Sequence, residues 1–292
     1  MRQKVFPASS PLVKRLDAQS NRRSFAFFYI TNLCNLRCGH CSFQSGPDKK
    51  ETHMSTPRVL DALDELTGIH DITITGGEPL LHPGFKQVLS RAAGNAGTVY
   101  LMTNGIELIG KERIRGFAKT EDMTGLKKGL KSAMESFPEN LHLFFPLDSF
   151  HLKAFRPFSF LLKGLATLAH TWNGLPDRPF IGFICNETTR EKSRELTARF
   201  DVAPHTHVGT ALFSPWRKQK DIGDWYCSHE LNRMPFPGGI YINYKGVYLN
   251  EAALLMDLRR EIETPLKIGT LAPQSSKNSL ERLYLKAVRK FF

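Results

Sequence analysis

The feature that most constrains the fold is a regular alternation of apolar runs and amphipathic stretches between residues 24 and 212. It opens with Ser24-Phe25-Ala26-Phe27-Phe28-Tyr29-Ile30, a nearly unbroken apolar run. A strand without polar alternation is one buried on both faces, as the strands of a parallel sheet are. An amphipathic helix follows from Thr56 to Leu66, with Pro57 in its first turn and Val59, Leu60, Leu63 and Leu66 on its apolar side. Further strands are expected at 71–75, 98–102, 141–148, 179–185 and 207–212, and helices at 85–93, 158–170 and 190–200. Pro146 would interrupt an interior ladder, so it belongs at a strand end or a bulge. Such alternation calls for parallel βαβ units. Six of them fit an α/β chain folded as a partial (β/α)6 TIM-like barrel. A doubly wound sheet satisfies the same pattern, and either fold gathers its sites at the C-terminal ends of the strands.

After residue 212 the alternation stops. Pro237-Gly238-Gly239 leads into two short runs, Ile240 to Asn243 and Val247 to Asn250, on either side of Lys245-Gly246. They read as a β-hairpin, with helices at 251–260 and 278–290 completing the chain. The expected division is an irregular, basic N-terminal arm at 1–23, a barrel domain at 24–212 and a smaller C-terminal region at 213–292.

The strand ends carry the chemistry. Cys34, Cys38 and Cys41, three of the five cysteines, follow the first strand with the spacing C-x3-C-x2-C. A structural zinc site takes four ligands, commonly as two separated pairs. Three clustered thiolates suit an iron–sulfur cube held at three corners with one iron open. A zinc knuckle and a redox pair of Cys38 with Cys41 are the alternatives. The second strand ends in Thr75-Gly76-Gly77-Glu78-Pro79-Leu80, the third in Thr103-Asn104-Gly105, the fourth in Asp148-Ser149 and the fifth in Cys185-Asn186.

Together these stretches resemble the radical S-adenosylmethionine (radical SAM) superfamily. The cysteine loop is similar to that family's C-x3-C-x-aromatic-C, with His40 in the aromatic slot. The resemblance implies a [4Fe–4S] cluster bound by Cys34, Cys38 and Cys41, with SAM chelated on the open iron. Reductive cleavage of SAM would yield a 5′-deoxyadenosyl radical that abstracts hydrogen from a C–H bond. It also implies SAM contacts from His40, from Gly76, Gly77, Glu78 and Pro79, and from Thr103 and Asn104. An anionic side chain with carbonyl dipoles is what the methionyl ammonium requires. Asp148 lies where the family's Ser-x-Asp region ends the fourth strand, but Pro146 stands in place of the serine. Asp148 is therefore a candidate for ribose or substrate contact, or a turn cap. His151 is a candidate acid/base or substrate contact. Cys185 is a candidate hydrogen-atom donor to a substrate radical, its alternative being a buried apolar cysteine. His205 and His207 read as structural. The tail resembles a reduced SPASM/twitch region, with Leu249-Asn250-Glu251 where that pattern has a cysteine. Only Cys185 and Cys227 remain for an auxiliary cluster, so a single cluster is expected and the tail reads as a lid or docking surface.

A net charge of +12 permits an anionic partner such as an acidic peptide leader. The basic stretch 111–131 lacks interleaved aromatics, so nucleic acid is not expected. No apolar run reaches membrane-spanning length and no secretory h-region is present, which excludes an expected membrane partner. Five unevenly placed cysteines suit a reducing cytoplasm. The resemblance implies a ribosomally made peptide or related natural-product precursor as substrate and a flavodoxin- or ferredoxin-type electron donor. The alternative substrate is a small molecule: an amino acid, sugar or nucleotide. A tRNA modifier and a non-catalytic metal-binding interaction protein are the remaining readings.

Overall fold

A computed structural model describes residues 7–19, 24–38, 41, 43–49, 52–109, 135–146, 151, 171–172, 175, 181–185, 207–210, 239–243, 245–248, 267–270 and 280–291. The helices expected at 158–170, 190–200 and 251–260 lie outside these residues.

The parallel strands form where the apolar runs stand: β1 (Phe25–Thr31), β2 (Ile69–Gly76), β3 (Ala96–Met102), β4 (Leu141–Pro146), β5 (Gly182–Cys185) and β6 (His207–Thr210). Between them run α2 (Thr56–Glu65), α3 (Phe85–Asn95) and the short α4 (Ile106–Ile109). Pro146 is the last residue of β4, where its missing N–H interrupts no ladder.

The described strands make one sheet in the order β6-β5-β4-β3-β2-β1 and then β7 (Gly239–Asn243), β8 (Gly246–Tyr248) and β9 (Lys267–Gly269). From β1 to β6 each strand lies parallel to the next in chain order. A doubly wound sheet reverses its direction of growth beside the first strand. Here growth runs one way, so right-handed crossovers put the described connecting helices, α2 and α3, on the same face. This is the winding of a barrel, left open rather than closed. The helix-side face is a continuous apolar core of Ala26, Phe28, Ile30, Ile72, Ile74, Val99, Leu101, Leu141, Leu143 and Phe145, packed with Val59, Leu63, Val88 and Leu89. The opposite face carries the alternate residues. Phe27 stacks on Tyr241 with ring centroids 5.2 Å apart, and Tyr100 lies 5.1 Å from the His142 ring.

Two regions differ from the sequence reading. The N-terminal segment, expected to be irregular, contains helix α1 (Pro11–Gln19) with Leu12, Val13 and Leu16 fully buried. Ser10 caps it, its hydroxyl accepting from Val13 N at 3.2 Å and donating to Glu65 O at 2.6 Å. Ser10-Pro11 is a helix-start signature, a cap residue followed by proline at the first position.

The second difference is in the tail, expected as a lid or docking surface. Its described strands belong to the main sheet. Strand β7 (Gly239–Asn243) pairs in parallel with β1, and β8 (Gly246–Tyr248) and β9 (Lys267–Gly269) extend it antiparallel. The reason is that β1, first of six, would otherwise present a long apolar edge to solvent. The hairpin expected around Lys245-Gly246 is present as β7 and β8.

The last helix, α5 (Leu280–Phe291), docks beside α1 and α2. The Glu65 carboxylate accepts from Leu280 N at 2.8 Å and from Glu281 N at 2.9 Å, placing an anion at the helix N-terminus. Among the described residues no helix is long and apolar enough to cross a membrane.

Candidate functional site

Three loops converge at the C-terminal ends of β1, β2 and β3, and the backbone explains why. After β2 the chain passes against the exit of β1: Gly77 N donates to Thr31 O at 2.6 Å and Glu78 N to Leu33 O at 2.8 Å. Side chains do not fit here. A Cβ on Gly76, whose φ is +138°, would lie 2.3 Å from Thr31 O, and one on Gly77 would lie 2.3 Å from Leu33 O. The two glycines are required by the approach of one loop to another, before any ligand is considered.

The loop after β1 is closed on itself. Cys34 N donates to Gly46 O, Gly46 N to Asn32 O, Asn32 N to Thr52 O and Met54 N to Ile30 O. These bonds return Gly46, Thr52 and Met54 to the end of the strand. Inside the loop, Cys41 N donates to Cys38 O, and the Phe43 ring sits 4.7 Å from that of Tyr29. His82 holds the next turn: its Nε2 donates to Met54 O at 2.7 Å while its Nδ1 accepts from Gly84 N at 3.1 Å.

Glu78 ties the second loop to the third. Its side chain is fully buried and accepts from Thr103 Oγ1 at 2.7 Å, Asn104 N at 2.8 Å and Leu80 N at 3.1 Å. The sequence reading assigned Glu78, Thr103 and Asn104 to one ligand; the structure brings them into direct contact with one another. Burial pushes the Glu78 carboxyl up to about 7, against the pull of those three donors.

The cysteine loop joins the same network. Asn104 Nδ2 lies 3.8 Å from Cys34 Sγ and 2.7 Å from Asn35 Oδ1, and Asn35 Nδ2 donates to Glu107 Oε1 at 3.0 Å. Leu36 N donates to Cys34 Sγ at 3.4 Å and Ser45 N to Cys41 Sγ at 3.3 Å. Cys34 and Cys38 are buried, Cys41 partly so, and none of the three is in a disulfide. Burial pushes the Cys34 thiol up to about 12, and the charges of Glu78 and Cys41 push the same way.

These observations test the donor set against an iron–sulfur cluster. Among the described residues no three His, Cys, Asp or Glu side chains converge to hold a single metal ion. A cluster makes a different demand, because each thiolate binds its own iron. N–H groups directed at cysteine sulfur are the outer-shell partners such thiolates use. The buried Glu78 carboxylate and the buried Cys34 thiol, each held toward neutrality by desolvation, are relieved when positive charge arrives. The residues fit the group.

The other predicted residues are less gathered. His151 is half-buried and Cys185 is the last residue of β5, opposite Thr210 of β6. His40, Asp148 and Cys227 lie outside the described residues, and Pro79 opens the turn after Glu78. Asn35 and Glu107 were not singled out from sequence. A polar residue inside a cysteine loop was the available signal for Asn35; Glu107 has none, its partner being 72 positions away.

A sequence model of the radical SAM superfamily matches residues 28–141. The GTP 3′,8-cyclase of Chlorobaculum tepidum is 37% identical over 82 residues, 27% of this chain and 25% of that protein. The sporulation killing factor maturation protein SkfB of Bacillus subtilis is 31% identical over 124 residues, 37% of this chain and 30% of that protein. The chain thus spans about a quarter to a third of these relatives' length. Streptococcus suis SuiB bound to its precursor peptide SuiA overlays 87% of this chain and 67% of that one, with TM-score 0.44 and 11% identity.

Proposed function

Residues 28–141 are a radical SAM domain, and from that premise we propose that the protein modifies a ribosomally synthesised peptide or natural-product precursor by radical chemistry. The single observation carrying the reading is the junction of Cys34, Glu78, Thr103 and Asn104 in one buried network. In this reading Cys34, Cys38 and Cys41 hold a [4Fe–4S] cluster. When bound, that cluster and SAM supply a 5′-deoxyadenosyl radical able to take hydrogen from an unactivated C–H bond.

The protein's own contribution is positioning and exclusion of water. Glu78 fixes the β3 exit, and the Gly76-Gly77 backbone keeps that exit against the cysteine loop. His40, Gly76, Gly77, Glu78, Pro79, Thr103 and Asn104 would line the SAM site. Asp148, His151 and Cys185, on the β4 and β5 side, would face the substrate as contact, acid/base and hydrogen donor respectively. The substrate would lie along the sheet face opposite the helices, where Phe27, Tyr100 and His142 offer half-buried rings. A flavodoxin- or ferredoxin-type protein would supply the electron. The division into a barrel domain at 24–212 and a reduced SPASM/twitch-like region at 213–292 accompanies this reading.

Likeness to SkfB, a maturation protein by name, and a net charge of +12 suited to an acidic leader support the peptide. Likeness to a GTP 3′,8-cyclase supports a second reading, a nucleotide or another small molecule as substrate. The test is anaerobic reconstitution with iron, sulfide, SAM and a strong reductant. Wild-type protein is expected to release 5′-deoxyadenosine, and Cys38→Ala to release none. Equal yields from both would sink the proposal. Deuterium transfer into 5′-deoxyadenosine from a labelled peptide, rather than from a nucleotide, separates the two substrate classes.

A further inference from the structure

The amide chain beside Cys34 has a fixed direction. A carboxamide can be placed two ways, so its polarity must come from its neighbours. At one end, Ile106 N donates to Asn104 Oδ1 at 3.0 Å, and a backbone N–H can only donate. That sets Asn104 Nδ2 toward Asn35 and Cys34. At the other end stands the Glu107 carboxylate, which as an anion can only accept; Asn35 Nδ2 therefore faces it and Asn35 Oδ1 faces Asn104. Turning either amide over would set N–H against N–H or oxygen against oxygen. Both ends impose one polarity: Ile106 to Asn104, Asn104 to Asn35, Asn35 to Glu107.

Asn104 Nδ2 carries two hydrogens. One is taken by Asn35 Oδ1 at 2.7 Å, which pins the amide plane, and the other is left for Cys34 Sγ at 3.8 Å. Leu36 N also donates to Cys34 Sγ, but from the loop's own backbone. Among the described residues, the Asn104 amide is the side-chain donor that reaches this sulfur from another loop, 70 positions away.

We propose that Asn35, anchored by Glu107, is a positioning residue that aims the Asn104 amide at Cys34 Sγ and so raises the reduction potential of the cluster bound there. The inference rests on the functional reading above. Hydrogen bonds to the sulfurs favour the more negative, reduced cluster and are one of the recognised levers on its potential. Asn35 acts through Asn104 and need not touch SAM or substrate.

The test is a redox titration of reconstituted protein, followed by electron paramagnetic resonance, with iron and sulfide counted in each sample. Asn104→Leu and Asn35→Leu should each lower the ratio of reduced to oxidised cluster at a fixed potential about threefold. That is a midpoint lower by about 30 mV, at about 59 mV per decade for one electron. The double variant should fall no further than Asn104→Leu alone. Glu107→Ala should lower the ratio in part, and Glu107→Gln, whose side chain still offers an acceptor oxygen, should restore it. If the leucine variants do not load, Asn35→Ser reads the same effect with a smaller change. A fully loaded Asn35 variant at the wild-type midpoint overturns this proposal alone, as do single effects that simply add. Wild-type protein that takes up no cluster overturns the functional reading and this proposal with it.

Discussion

Alanine at Gly77 and alanine at Gly94 should change stability in opposite directions. At Gly77 a Cβ would meet three backbone atoms at once: Leu33 O at 2.3 Å, Leu33 C at 2.7 Å and Asn32 C at 2.9 Å. Backbone cannot rotate away as a side chain can, so the two loops must part by about 1 Å to reach ordinary contact. At that separation the bonds from Gly77 N to Thr31 O and from Glu78 N to Leu33 O are stretched past useful geometry. Leaving two buried backbone pairs unmade costs about 1–3 kcal/mol each, so Gly77→Ala should lose about 2–6 kcal/mol in total. Gly94 is the opposite case. It lies in α3 with nothing within 4 Å of its would-be Cβ. Alanine there should gain about 0.5–1 kcal/mol from helix propensity. Urea unfolding of anaerobically purified protein, followed by circular dichroism, measures both. A Gly77→Ala variant within 1 kcal/mol of wild type, or a Gly94→Ala variant less stable than wild type, would refute the reasoning.

Two further expectations concern the supports of the site. Burial holds the His82 pKa below its ordinary value of 6.5, with the neighbouring His53 ring adding to the shift and the bond to Met54 opposing it. The unfolded chain then takes up a proton before the folded one does, so stability should fall as pH drops below about 6.5. The unfolding midpoint compared at pH 7.5 and 5.5 reads this, and His82→Gln should flatten the difference. Glu65→Ala should remove the carboxylate that accepts two N–H groups at the start of α5. A loss of about 2 kcal/mol is expected, with Glu65→Gln losing about half, and hydrogen exchange rising first in residues 280–285.

Much of this arrangement was legible in residues close together in the chain. The apolar run of β1, Pro57 opening α2 and the glycine pair after β2 each report a local requirement, and each stands where the sequence put it. Pro146 was assigned to a strand end or a bulge, and it is the last residue of β4. The cysteine spacing and the Gly-Gly-Glu stretch named the rim of the sheet on which they meet. What escaped depends on partners distant in sequence. Nothing near residue 239 says that β7 will pair with β1, because an edge strand is chosen by which edge is vacant. The glycines were legible as close-approach positions, but the surface they approach is the loop of residues 31–33. Glu78 was legible as an anion at a strand end; its bonds to Thr103 and Asn104 arise only when β2 and β3 lie side by side. Helix α1 is a different kind of miss, since Ser10-Pro11 announced it locally.

The position of β1 has a consequence for how the chain is made. It is the earliest of the described strands, yet its two neighbours are β2 and β7, and β7 follows it by roughly 200 residues. Until β7 is made, one side of this apolar strand has its hydrogen-bonding groups unpaired. Contacts of such long range close slowly, and the exposed edge invites pairing with a neighbouring chain. The nascent protein therefore needs either a chaperone on that edge or rapid completion of the tail. Truncations ending before residue 239 should aggregate through β1 even though the cysteine loop and both of its partner loops are already complete.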